Sequence, residues 1–236
     1  APEAFPFTTP SGQVYDSGSY ADALDAVLDA LGVEGLRADQ ERRRSDDEGS
    51  LLGIGFAAYV EIANPVQAPE FGSVTIRPDG SAVVLTGSSA HGQGHHTTFA
   101  QVAADVLGID FDLIEVRHGD TDEVARGGGT GGSRSLQAGG VAVHRASEAV
   151  VEDAKRVVAG LLEASADDVV LDVDSGVFSV AGSPTVRIGW ADVAAEAVRS
   201  GEQLAEEVDF QPPGATFPFG VHASVVEVDR ETGQVS

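Results

Sequence analysis

Two glycine-rich segments, each followed by a helix-like pattern, place the strongest constraint on this chain of 236 residues. The first glycine turn is HGQGHH at residues 91–96, and the second glycine turn is GGGTGGSRS at residues 127–135. A glycine-rich turn at the start of a helix exposes backbone N–H groups at the positive end of the helix dipole. Two such turns predict two anion sites that together hold one large, multiply charged ligand.

Helical and strand-like patterns alternate along the chain. The periodicity predicts helices over residues 20–31, 34–47, 97–107, 135–164 and 190–200. It predicts strands over residues 52–62, 74–77, 82–86, 113–118, 169–173, 177–180 and 220–228, after an extended arm over residues 1–16. Because the helices alternate with hairpins rather than in strict βαβ order, we expect an α+β fold with mixed sheets and packed helices.

The acidic composition limits the classes of partner. The net charge is -24, with 38 acidic and 14 basic residues, which argues against nucleic acid or a membrane surface as a partner. We find no apolar run of about 20 residues and no signal-peptide pattern, so we expect a cytoplasmic protein. Many carboxylates with a single lysine indicate a halophilic source, and a GC-rich genome is the alternative explanation.

The sequence favours neither a protein-bound metal nor a common nucleotide-binding motif. The chain has no cysteine, and therefore no thiolate ligand or thiol nucleophile. His91, His95 and His96 could be considered metal ligands, but adjacent side chains at a helix start diverge, so we expect no direct metal site. Residues 53–58 (GIGFAA) resemble a dinucleotide fingerprint but have the pattern of a strand themselves, and a Walker A motif is absent from the sequence.

The side chains of the two glycine turns suit a polar ligand. Gln93 offers an amide donor and an acceptor, while Gly92 and Gly94 allow the backbone to approach closely. Two hydroxyls and a guanidinium lie at the start of the helix that follows the second glycine turn: Ser133, Arg134 and Ser135. Such groups at a helix N-terminus suit a phosphate. The alternative is a pair of ordinary tight turns with serine caps.

Residues 91–101 (HGQGHHTTFAQ) and 129–135 (GTGGSRS) also resemble known cofactor-contacting segments. These segments belong to the large subunit of the molybdenum hydroxylases, the xanthine dehydrogenase/aldehyde oxidase family, and in particular to its aerobic carbon monoxide dehydrogenase type. The resemblance implies a molybdopterin cytosine dinucleotide, whose dithiolene would hold molybdenum. It implies that Gly92, Gln93 and Gly94 approach the oxo group and the pterin, with His95 beside them. It also implies a set of residues that line the pterin and pyrophosphate, namely Gly131, Gly132, Ser133, Arg134 and Ser135.

The resemblance further implies that this chain is part of a larger subunit. Residues 1–49 would be an extended arm and helical lead-in from a preceding domain, and residues 50–236 would be part of a second molybdopterin-binding domain. We assign no catalytic residue, because the family's general base and substrate loop would lie outside these residues. The isolated chain is therefore expected to be inactive and to hold no cofactor.

The implied partners are the rest of the large subunit, iron–sulfur and FAD subunits, and a small substrate. That substrate would be carbon monoxide, an aldehyde or a heterocycle, oxidised with water as the oxygen source. The alternative is a non-enzymatic module that binds a nucleotide or phosphate at the two turns.

Overall fold

The computed structural model describes residues 4–46 and 49–236. The chain forms two compact units. Unit 1 comprises the residues up to Ala63 together with Thr216–Ser236, and unit 2 comprises Asn64–Ala215. Across the described residues, no helix has the length and apolar character needed to cross a membrane.

The structure contains five α-helices within the described residues. They are α1 (Tyr20–Leu31), α2 (Val33–Ser45), α3 (His95–Leu107), α4 (Val141–Leu162) and α5 (Trp190–Arg199). Short 3-10 turns cover Phe111–Leu113 and Ala166–Asp168, and a π-helical turn covers Ser135–Gly140.

Eleven strands lie in the same part of the chain. They are β1 (Phe7–Thr8), β2 (Val14–Tyr15), β3 (Ser50–Val60), β4 (Glu70–Ile76), β5 (Ala82–Thr86), β6 (Ile114–Arg117), β7 (Val169–Asp172), β8 (Val177–Val180), β9 (Ser183–Gly189), β10 (Ala205–Phe210) and β11 (Phe219–Asp229).

Unit 1 is built around a long antiparallel pair of strands. The pairing of β3 with β11 runs from Ser50 opposite Asp229 to Val60 opposite Phe219. Helix α2 packs on β3, and the buried Gln40 side chain donates from Nε2 to the Leu52 carbonyl at 2.7 Å. This hydrogen bond fixes the polar helix to the sheet, where α2 has few apolar side chains to bury.

Unit 2 contains a four-stranded sheet in the order β10-β4-β5-β6. The pairs β10/β4 and β4/β5 are antiparallel, whereas β5 and β6 are parallel and are connected through α3. Helices α3 and α4 pack on this sheet and on each other. Parallel strands direct their carboxyl ends to the same edge, so the segments after β5 and after β6 meet there.

Helix α4 supplies much of the core of unit 2. Val143, Ala146, Val150, Ala154 and Val158 recur at helical spacing, and each is 0% exposed. The helix lies so close to β4 that a Cβ added at Gly72 would be 2.8 Å from the Val143 nitrogen. Small residues on both sides therefore allow the helix and the sheet to approach each other.

A second, antiparallel sheet in the order β7-β8-β9 completes unit 2. Trp190 begins α5, and its ring lies 4.9 Å from that of Phe178 in an edge-to-face arrangement. Its indole Nε1 donates to the Leu107 carbonyl at 2.7 Å. This contact joins the end of α3 to the second sheet.

The predicted α+β class with mixed sheets is confirmed, and several boundaries differ from the prediction. Helix α3 begins at His95, two residues earlier than predicted, because Gly94 adopts a left-handed conformation and caps it. The predicted helix over 135–164 begins with the π-helical turn. Strands β9 and β10 were not predicted at all. Residue 47 of the predicted helix and residues 1–3 of the predicted arm lie outside the described residues.

Candidate functional site

The first glycine turn lies in unit 2, between β5 and α3. Gly92 and Gly94 have φ angles of 101° and 77°, in the left-handed region that glycine favours. A Cβ added at either position would meet no atom within 4 Å, so the outer surface of the turn is open. Gln93 is exposed, and its Oε1 accepts a hydrogen bond from the His91 backbone N–H. The turn thus leaves the first N–H groups of α3 beside an open surface.

Three imidazole rings meet at the start of α3. His95 is 7% exposed, and its ring centroid lies 6.5 Å from that of His118. The rings of His96 and His118 are 4.4 Å apart, and His96 Nδ1 donates to the Val116 carbonyl at 2.9 Å. Among the described residues, His95 Nδ1 and His118 Nε2 are the buried side-chain nitrogen or oxygen atoms without a hydrogen-bond partner. Because buried polar atoms are almost always paired, these two nitrogens indicate a polar binding position.

Burial keeps two of these rings neutral. The pKa of His95 is lowered from 6.5, mainly by burial and further by repulsion from His91 and His96. Burial also lowers the pKa of His118, with smaller contributions from His96 and His95, while a backbone hydrogen bond acts in the opposite direction. At pH 7 each ring therefore has one donor and one acceptor nitrogen, a combination that suits the edge of a polar heterocycle.

We expect both His95 and His118 to titrate below pH 6.5 in the folded protein. Histidine C2 hydrogen–deuterium exchange with mass spectrometry measures each pKa in a large protein, and the denatured protein is the control. Because the folded state binds these protons less readily than the unfolded state, stability falls as the pH decreases below 6.5. Folded-state values at or above those of the denatured protein would contradict this assignment.

The second glycine turn is held by hydrogen bonds to its own unit. The Gly132 carbonyl accepts from the Asn64 N–H at 2.7 Å, and Asn64 is 1% exposed. The Asn64 side chain donates to Gln137 Oε1 at 2.9 Å, which connects this residue to the π-helical turn. Ser133 has a φ of 55°, and the hydroxyls of Thr130 and Ser135 lie 3.0 Å apart. Gly131 is exposed, with no atom within 4 Å of an added Cβ.

Arg134 lies inside the protein, where it pairs with the carboxylate of Glu70. Its Nη2 is 2.7 Å from Glu70 Oε2 and 3.2 Å from the Gly129 carbonyl. The Glu70 side chain is 0% exposed, and Ser88 donates to the same Oε2 at 3.0 Å. One buried carboxylate therefore contacts both the second glycine turn and the segment that precedes the first.

The structure places the second glycine turn against Gly87, which lies four residues before the first glycine turn. The Gly129 N–H donates to the Gly87 carbonyl at 3.0 Å. Gly87 and Gly127 are in backbone contact, since a Cβ added at Gly127 would lie 2.6 Å from the Gly87 oxygen. The small residues of the π-helical turn lie against the protein itself, because a Cβ added at Gly139 would be 3.1 Å from Ser88 Oγ. Side chains of the chain itself thus fill the space beside these small residues.

Several of these residues were missed in the sequence. Glu70 and Asn64 resemble ordinary polar residues in an acidic chain, and only their burial distinguishes them. Ser88 and His118 had a weak signal, because Ser88 precedes the first turn and His118 precedes the GDTD segment at residues 119–122. Within the described residues, no group of three or more His, Cys, Asp or Glu side chains could hold a metal ion.

Comparison with known proteins identifies the family. The family model described as the molybdopterin cofactor-binding domain matches residues 26–236. The chain belongs to this family. It is 38% identical to the carbon monoxide dehydrogenase large chain of Hydrogenophaga pseudoflava, over 98% of this chain and 31% of that one. It is 36% identical to the nicotine 6-hydroxylase large subunit of Paenarthrobacter nicotinovorans, over 98% of this chain and 30% of that one.

Solved structures agree with this assignment to the molybdopterin cofactor-binding domain family. Reconstituted CO dehydrogenase from Oligotropha carboxidovorans matches with a TM-score of 0.88 at 32% identity, over 100% of this chain and 31% of that chain. Quinoline 2-oxidoreductase from Pseudomonas putida 86 matches with a TM-score of 0.84 at 29% identity, over 100% of this chain and 32% of that chain. The chain therefore spans about a third of these relatives. The resemblance drawn from the glycine turns is confirmed, and these comparisons give no support to a non-enzymatic module.

Proposed function

We propose that the longer protein containing this chain is a molybdenum hydroxylase that oxidises a small substrate with water as the oxygen source. The substrate would be carbon monoxide, an aldehyde or a heterocycle. This chain would supply part of the binding site for a molybdopterin, in its cytosine dinucleotide form. The main support is the contact between the second glycine turn and the segment that precedes the first, where the Gly129 N–H donates to the Gly87 carbonyl at 3.0 Å.

The residues of this site fit such a cofactor. The unpaired nitrogens of His95 and His118 suit the polar edge of a pterin, and the open surface above Gly92 and Gly94 leaves room for it. The N–H groups at the start of α3 suit a negatively charged or oxo group of the cofactor. When bound, a molybdopterin supplies the redox-active molybdenum that accepts electrons from the substrate.

Each segment would have a separate role in binding. We propose that the first turn orients the pterin and the metal end of the cofactor through Gly92, Gln93, Gly94 and His95. The second turn would line the pterin and pyrophosphate with a further set of residues: Gly131, Gly132, Ser133, Arg134 and Ser135. The chain's own part is thus to bind and orient, and we assign no proton-transferring residue within it.

The proposal extends to the surroundings of the chain. Residues 1–49 would lead in from a preceding domain, and residues 50–236 would form part of a second cofactor-binding domain. The remaining large subunit would complete the site, and iron–sulfur and FAD subunits would accept the electrons. The relatives' names support this organisation, since they include a large chain and a subunit of a dehydrogenase complex.

The proposed function is tested on the purified full-length complex. Metal analysis and mass spectrometry of the released cofactor should detect molybdenum and a pterin cytosine dinucleotide. An ordinary nucleotide without molybdenum would instead support the non-enzymatic alternative and refute this proposal.

We expect Gln93→Ala to lower the amount of bound cofactor about tenfold, the effect of losing a hydrogen bond to a charged group. Because Gln93 is exposed, the melting temperature should stay close to that of the wild type. Gln203→Ala is the matched control, since Gln203 is also exposed and lies in the loop before β10. Equal cofactor contents in the two variants would exclude Gln93 from the site.

A further inference from the structure

The ion pair between Glu70 and Arg134 is buried to a degree that needs an explanation. The side chains are 0% and 10% exposed, and the two charged atoms lie 2.7 Å apart. The Phe71 N–H donates to Glu70 Oε1 at 3.0 Å, and Ser88 donates to Oε2 at 3.0 Å. Apolar residues of similar volume often replace such a pair without loss of stability. The pair is therefore poorly explained by stability alone.

The partners of Glu70 come from the second glycine turn and from the segment that precedes the first. Ser88 lies three residues before the first glycine turn, and Arg134 lies within the second. The same guanidinium that pairs with Glu70 also donates to the Gly129 carbonyl at 3.2 Å. Gly129 in turn donates to Gly87, the neighbour of Ser88. These contacts form a closed ring of interactions that ties the second glycine turn to residues 87–88, just before the first glycine turn.

The guanidinium of Arg134 is directed into the protein by these contacts. Nη2 bonds to Glu70 and Gly129, and Nη1 donates to the Pro69 carbonyl at 3.3 Å. The buried carboxylate balances its positive charge. To pair directly with a phosphate, the guanidinium would have to give up its hydrogen bonds to three acceptors. Glu70 would then remain as a buried charge without a partner, which is costly in free energy.

We propose that Glu70 and Arg134 are positioning residues, which hold the two glycine turns so that backbone N–H groups from both converge on one anionic ligand. This inference rests on the proposed function and refines it. Arg134 acts through the geometry of the second turn, and the ligand's negative charge is met by backbone N–H groups.

The test compares Glu70→Gln with wild type in the full-length enzyme. If Arg134 contacted the ligand directly, removing the competing carboxylate would leave binding unchanged or make it stronger. If the pair positions the turns, Glu70→Gln should lower bound cofactor about tenfold and raise amide hydrogen exchange in residues 87–96 and 127–135. Glu70→Asp, which keeps the charge, should restore part of the loss. Cofactor content and exchange that both match the wild type would overturn the proposal.

Two further variants separate positioning from a loss of folding. Ser88→Ala removes one hydrogen bond from the same Oε2, and should lower cofactor content about threefold with the fold intact. The double variant Glu70→Gln/Arg134→Met removes both charges, and should keep a melting temperature near that of the wild type while the exchange in both turns rises. A purely structural pair would leave the exchange in the turns of this double variant at the wild-type level.

The controls keep this result distinct from the proposed function. Glu115→Gln changes an ion-paired carboxylate that is 45% exposed, and should leave cofactor content and exchange in the turns unchanged. If the wild-type complex contains no molybdopterin, the proposed function fails. The exchange measurement still decides whether Glu70 holds the turns together.

Discussion

Gly127→Ala is expected to destabilise the full-length protein by about 3 kcal/mol, the cost of overpacking a filled position. For a domain of the size of unit 2, this corresponds to a decrease in melting temperature of roughly 6–12 °C. The added Cβ would overlap Gly87 Cα and lie 2.6 Å from the Gly87 oxygen. Backbone atoms cannot rotate away as the end of a side chain can, so the second glycine turn must move away from Gly87. Differential scanning calorimetry measures the decrease, and bound cofactor should fall with it.

Gly214→Ala provides the matched control for Gly127→Ala. A Cβ at Gly214 would have no atom within 4 Å, and its φ lies outside the positive region. Its melting temperature should therefore stay within about 2 °C of the wild type. Equal stability of the two variants would show that the backbones of Gly87 and Gly127 are farther apart than the contact requires.

Phe99→Ala is expected to lower the free energy of unfolding by about 3–5 kcal/mol, the usual cost of removing a buried phenyl ring. Phe99 is 1% exposed, and its ring centroid lies 5.3 Å from that of His95. Its ring also lies beside the π-helical turn, since a Cβ added at Gly139 would be 3.4 Å from Cζ. One side chain thus supports α3 and the start of α4, and denaturant unfolding measures its contribution.

The Phe99 variants should also affect the histidine titrations. Loss of the ring lets water reach His95, so its pKa in Phe99→Ala should rise towards the ordinary value of 6.5. Phe99→Leu, which retains most of the apolar volume, should cost only about 1 kcal/mol and keep the lowered pKa. Phe111→Ala, at a residue 40% exposed, controls for removing a phenyl ring elsewhere in unit 2. A His95 pKa that is the same in Phe99→Ala and the wild type would contradict the role of burial.

Local sequence signals predicted most elements because these elements are specified by nearby residues. Helix α1 has the predicted bounds, because the apolar spacing ends where Gly32 adopts a left-handed C-cap. Strand β10 was missed because its sequence, AEEVDF, is rich in carboxylates. Those side chains are tolerated because Glu207 and Asp209 pair with Arg126, which lies far away in the sequence. Local pattern cannot show such a partner.

In the candidate site too, the sequence predicted the features set by nearby residues and missed those set by distant ones. The two glycine turns were evident from the sequence pattern, and one ligand shared between them stays a prediction. The network around Glu70 was not predictable, because a carboxylate at the start of a strand has no local mark of burial. The role first expected for Arg134 came from its residue type, whereas in the structure its guanidinium contacts Glu70 and Gly129.

The pairing of β3 with β11 has a consequence for the order of folding. All of unit 2 separates these two strands in the sequence, and the pairing of Ala63 with Thr216 joins the chain where unit 2 begins and ends. Closing so long a loop in an unfolded chain carries a large entropy cost, which falls if unit 2 folds first and brings its ends together. During synthesis β3 would then wait on the order of ten seconds for its partner strand, exposed to aggregation and to chaperones.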